Sequence, residues 1–129
     1  MKKYFLMIFI VVMLASSAYA KCDGGTEVTT SSGTFCKSNV DMPNWWAAAA
    51  WCKANDSRLA TMYEMCPDWD GNTGNGKCSE LSEKGSKYVY SSTAHGSESV
   101  FLVRLSDGSV YGGYGYYRHG ALGAYAFCR

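Results

Sequence analysis

The chain predicts a single α+β domain, stapled by disulfides and preceded by a signal peptide. Three observations lead there. All six cysteines fall after residue 20, one stretch from Asn44 to Cys66 has a helical pattern, and the second half breaks into short apolar runs separated by turn residues.

The targeting segment comes first. Lys2 and Lys3 precede an apolar run from Tyr4 to Ala15, and Ala18-Tyr19-Ala20 offers a small-x-small cleavage site. The run is short for a membrane span. Lys21 before Cys22 spoils a lipoprotein cleavage box, and no Gly-Phe-type prepilin site precedes the run. Residues 1–20 are therefore expected to be a Sec-type signal peptide and 21–129 the domain. That domain would be secreted, periplasmic or held at a bacterial cell surface, with no membrane insertion of the mature chain. Taking Lys2 and Lys3 from twelve basic residues leaves ten against eleven acidic ones, a net charge of −1. With no run of one sign, nothing electrostatic points to nucleic acid or an anionic membrane as partner.

Cys22, Cys36, Cys52, Cys66, Cys78 and Cys128 form an even set in a small exported domain, which implies a disulfide framework but leaves the pairing open. No Cys-x-x-Cys occurs, and only His95 and His119 are present to help cysteines hold zinc, which disfavours a zinc or thioredoxin-like site. Between Cys22 and Cys36, Gly24-Gly25 and Ser32-Gly33 are turn signals around a β-prone Val28-Thr29-Thr30, giving a hairpin or loop.

Asn44 is a good N-cap. Trp45 to Ala54 lacks Gly, Pro and β-branched residues, and its four alanines favour helix. Trp45, Ala49 and Cys52 share one face of that helix, and Asn55 can end it in the left-handed conformation. Thr61 followed by Glu64 is a capping box for a second helix, which Pro67 keeps short. The four tryptophans, Trp45, Trp46, Trp51 and Trp69, read mostly as core, with Trp69 the one to watch for exposure.

From Pro67 to Lys77 the chain is a polar, glycine-rich loop, and Ser79 to Lys87 is polar and irregular. Tyr88-Val89-Tyr90 and Val100 to Leu105 are strand candidates. Asp107-Gly108 is a hairpin turn into Ser109-Val110-Tyr111. Gly112 to Gly123 is too glycine-rich for a regular element, and Ala124 to Arg129 is a last strand.

This order of parts resembles a C-type lectin-like domain over nearly all of 21–129. The residues that carry the likeness are the Cys22–Cys36 segment, Trp45 to Trp51-Cys52, Arg58-Leu59-Ala60-Thr61, and Phe127-Cys128-Arg129. Tyr88-Val89-Tyr90-Ser91-Ser92-Thr93 with the closing Cys-Arg is similar to bacterial, Fibrobacter-type paralogous domains. The resemblance implies two helices packed on a small antiparallel sheet with long loops, and the pairs Cys22–Cys36, Cys52–Cys128 and Cys66–Cys78. Departures limit what it implies for function. The Glu-Pro-Asn, Gln-Pro-Asp and Trp-Asn-Asp triplets of calcium-dependent sugar binders are missing, and so is the late bridge of that family. Calcium-dependent lectin activity does not carry over.

For binding, Tyr111, Tyr114, Tyr116, Tyr117, Arg118 and His119 form the main candidate. Rigid amphipathic rings among glycines bury much area at little entropic cost. The plainer alternative is tyrosines alternating into the core. Asp68, Asp70 and Asn72 alternate oxygen ligands that calcium could use, but the EF-hand Gly and Glu positions hold Thr73 and Ser79. No cofactor is implied beyond that minor calcium option. For catalysis there is no Gly-x-Ser-x-Gly elbow, and the cysteines are expected to be paired. The reading is an exported, non-enzymatic module that binds a surface glycan or protein without calcium. A structural subunit of a bacterial surface layer or appendage is second, and a small secreted hydrolase third. Ligand identity and oligomeric state are not legible.

Overall fold

The computed structural model describes the backbone of residues 21–71, 77–116 and 124–129, and their side chains except at 113–116. Among the described residues the elements run β1 (Gly25–Thr30), β2 (Gly33–Asp41), α1 (Trp45–Ala54), α2 (Met62–Met65), a 3-10 turn (Ser79–Leu81), β3 (Tyr88–Ala94), β4 (Ser99–Arg104), β5 (Val110–Tyr116) and β6 (Ala124–Cys128). The class is α+β. The strands make one sheet in the order β1-β2-β6-β3-β4-β5.

The sheet is mixed, which corrects the antiparallel expectation. β6 inserts between β2 and β3, antiparallel to the first and parallel to the second. Sequence patterning shows that a strand is present but not which neighbour it joins, so a terminal strand sliding into the middle was invisible. Both faces of this sheet are covered. β4 is buried at five consecutive positions, with Val100 and Leu102 facing one core and Phe101 and Val103 the other. Such a continuous apolar run is what a doubly covered strand requires.

α1 packs on one face. Its N-cap is Asn44, whose side chain accepts from the Ala47 amide at 2.8 Å. Ala48 and Cys52 point inward against β6, whose residues on that face are Ala124, Ala126 and Cys128. Small side chains on both partners let the backbones approach, and there Cys52 is joined to Cys128. The helix does not end in a left-handed Asn55. Asn55 has φ −99°, and Asp56, at φ 56°, takes the left-handed position. Asn55 is instead buried at 4% exposure. Its Oδ1 accepts from the Asp23 amide and its Nδ2 donates to the Trp51 carbonyl, so its amide ties the N-terminal segment to the helix.

The opposite face is covered by Met62 and Met65 of α2, Leu81 of the 3-10 turn and Trp69, closed by the Cys66–Cys78 bridge. α2 begins with the capping box formed by Thr61 and Glu64. Trp69 is 7% exposed and sits edge-on between Tyr63 and Phe101, with ring centres 5.1 and 4.8 Å away. Trp69 is thus core, the reading that its polar neighbourhood had put in question: such a neighbourhood does not stop a single large ring from turning inward. Trp46 is a correction, being 60% exposed, because it falls on the outer side of α1.

Two buried serines repair breaks in the ladder. The β2–β6 register slips between Lys37 and Asp41, and the Ser38 hydroxyl donates to the Val40 carbonyl while accepting from the Ala126 amide. The β3–β4 register slips between Tyr90 and Ala94, and Ser91 donates to the Phe101 carbonyl and accepts from the Thr93 amide. Backbone groups lost at a bulge need such partners when buried.

The third bridge joins Cys22 to Cys36. Three disulfides fit an oxidising compartment, extracellular or periplasmic. No helix among the described residues is long and apolar enough to cross a membrane.

Candidate functional site

The tyrosine segment lies on β5, an edge strand of the sheet. The sequence suggested no regular element from Gly112 to Gly123, yet β5 continues to Tyr116. The glycines are accommodated by a wide slip in register: Leu102 pairs with Tyr111 but Val100 pairs with Gly115, so extra residues of β5 bulge between them. Gly112 lies under the His95 ring, where a Cβ would collide with the imidazole. Here the glycine serves a close approach.

Tyr111 is half-buried. Its ring meets Tyr88 edge-on at 5.5 Å, and the Arg104 guanidinium lies 5.6 Å from its centre. Arg104 in turn grips Asp107 through Nε at 3.0 Å and through Nη2. That pairing raises the Arg104 pKa and lowers that of Asp107, each chiefly through the mutual side-chain hydrogen bond. Tyr111 therefore belongs to the margin of the α1-side core. Tyr114 and Tyr116 are on β5, with Tyr116 opposite Ser99, and their side chains lie outside the described residues. Tyr117, Arg118 and His119 also lie outside them.

Asp68 and Asp70 are exposed, and Asn72 is outside the described residues. Among the described residues no group of three His, Cys, Asp or Glu side chains comes together. His95, which has no partner legible in sequence, places Nδ1 3.2 Å from the Ser99 hydroxyl and its ring edge-on to Phe101.

A second surface escaped the sequence reading. Between α1 and the extended segment that follows it runs a groove of about 390 Å³. Trp45, Ala49 and Lys53, spaced four apart on α1, form one wall; Arg58, Leu59 and Ser92 contribute to the other. The Trp45 indole N–H donates to the Ser91 carbonyl at 2.9 Å, which fixes the ring. Trp46 packs edge-on against it at 4.9 Å. Arg58 is held by a two-pronged bond to Glu64, Nη1 to Oε1 at 2.6 Å and Nη2 to Oε2 at 2.7 Å. The Thr61 amide also donates to Glu64. The Arg58 fork, helped by Thr61 and opposed by desolvation, lowers the Glu64 pKa to about 2. The one sequence signal for this groove was the i, i+4, i+8 stripe, which also fits a purely core-facing helix.

No protein-family model, no curated protein and no solved structure matches the chain.

Proposed function

We propose that residues 21–129, released by a Sec-type signal peptidase, form a C-type lectin-like binding module that recognises a surface glycan or protein without calcium. Support for the fold is the way one segment ties together the first helix and the last strand. Cys52 bridges to Cys128, and Ala60 and Arg58 bond to Phe127 and Arg129 of the same strand end. The observation that carries the binding reading is an open groove walled by a fixed tryptophan, with a second tryptophan exposed beside it. Large exposed rings next to a concavity are costly to leave in water and are typical of recognition surfaces. Calcium independence rests on the missing ligand triplets.

A glycan array probed with the oxidised 21–129 domain, with calcium and with chelator, tests this. Signal that persists in chelator supports the reading. Loss in Tyr114→Ala and Tyr117→Ala would locate it at the tyrosine segment, and loss on chelation would return attention to Asp68 and Asp70. The second reading, an assembly subunit, is favoured by one observation: β1 and β5 are edge strands whose outer sides pair with no strand among the described residues.

A further inference from the structure

We infer that the groove between α1 and the Ser57–Thr61 segment is a subsite for an acidic glycan, a carboxylate-bearing oligosaccharide. This rests on the binding-module reading and names its ligand class. Charge favours an anion. Lys53 and Arg58 line the groove. No carboxylate is among the described residues that line it, on a domain whose overall charge is −1. Arg58 is also pre-oriented, because Glu64 occupies one side of its fork and leaves further N–H donors on a guanidinium that is 59% exposed.

Shape and hydrogen bonding favour a sugar over a peptide. The apolar part of the lining is Leu59, Ala49 and the Trp45 indole, surface against which the C–H face of a pyranose ring can pack. An acidic peptide in extended form would seek a strand edge. Much of the backbone of the groove wall is already paired. The Arg58 amide donates to the Arg129 carbonyl, the Ala60 amide to Phe127, and the Ala60 carbonyl accepts from Ser92. What the groove chiefly presents to a ligand is one indole, apolar side chains and side-chain donors, which suits a glycan.

The test is calorimetric titration of the oxidised domain with oligomers of galacturonate, glucuronate and sialic acid, against a neutral glucose hexamer. Binding to at least one acidic oligomer, at least tenfold tighter than to the neutral one and weakened about fivefold between 50 and 300 mM salt, is expected. Lys53→Glu should weaken it at least tenfold, and Trp46→Ala, through the Trp45 ring it packs against, about threefold. Both residues are exposed, so thermal melts of the variants should match the parent and exclude misfolding. Equal affinity for the neutral hexamer, or full affinity in both variants, overturns the assignment. If those two variants keep glycan binding while Tyr114→Ala loses it, the binding-module reading survives and the groove does not. If no acidic glycan binds, the groove proposal fails, and the glycan array then decides separately whether the module reading fails with it.

Discussion

The Cys52–Cys128 bridge should be the largest single covalent contributor to stability, and the structure lets its share be isolated. Cys52 and Cys128 are 76 residues apart, Cys66 and Cys78 only 12. In the chain-entropy model the long bridge is worth about 4.5 kcal/mol and the short one about 3 kcal/mol. All four sulfurs are buried, none more than 2% exposed. Replacing either pair by alanines therefore removes similar packing, and the packing cost cancels in the comparison. For a domain of this size the unfolding entropy is about 0.23 kcal/mol/K. The Cys52→Ala/Cys128→Ala variant should then melt about 20 °C below the parent from the entropic share alone, and about 7 °C below Cys66→Ala/Cys78→Ala. Scanning calorimetry of the three proteins at neutral pH measures both differences. Equal shifts, or a larger loss from the short bridge, would refute the loop-length reasoning.

Other expectations follow from single contacts. Glu64 has its folded pKa lowered to about 2 from an ordinary 4.5, so its stabilisation is complete above pH 4.5 and fades as pH falls toward 2. Because Arg58 is largely exposed, about 1–2 kcal/mol is expected after screening. Glu64→Gln should cost that much in urea melts at pH 7 and almost nothing near pH 2. Gly108 has φ +74°, and a Cβ there would overlap the Cys78 carbonyl. Gly108→Ala should therefore cost at least about 2 kcal/mol in the same assay, whereas Gly96→Ala, whose Cβ would meet only the Ser99 hydroxyl at 3.9 Å, should cost far less. Trp69→Ala should lose about 3–5 kcal/mol and the near-ultraviolet signal of the Tyr63–Trp69–Phe101 stack.

Local chemistry was readable in the sequence where neighbours in the chain decide it. Asn44, Thr61 and Glu64 cap helices through residues three positions away, so spacing alone located both helix starts. The Asp107-Gly108 turn is of the same kind. What escaped depends on partners far along the chain. β6 enters the middle of the sheet because β2 and β3 flank it, and neither lies near it in sequence. Trp46 turned out exposed and Trp69 buried because helix phase and tertiary packing, rather than nearby polarity, set burial. The tyrosine strand was underestimated for a related reason: glycines that look like breakers are tolerated where a bulge and the His95 ring require them. The groove needed the Ser57–Thr61 segment folded back along α1 before Lys53 and Arg58 could be neighbours at all.

The two ends of the domain are moored together. The Lys21 amide donates to the Asn55 carbonyl, and Arg129 exchanges two backbone hydrogen bonds with Arg58. Next to those moorings stand Cys22 and Cys128, and this arrangement determines how the domain responds to pulling. Tension applied at residues 21 and 129 crosses from Cys22 to Cys36, runs through β2 and α1 to Cys52, and leaves through Cys128. That covalent path is roughly 20 residues, or about 70 Å when taut, against some 370 Å for the reduced chain. Everything from Lys53 to Phe127 is off the load line, including α2, β3, β4 and β5. A copy pulled from both ends could stretch α1 and the part of β2 after Cys36 to that limit, while β1 and the rest of the sheet lie outside the covalent load path.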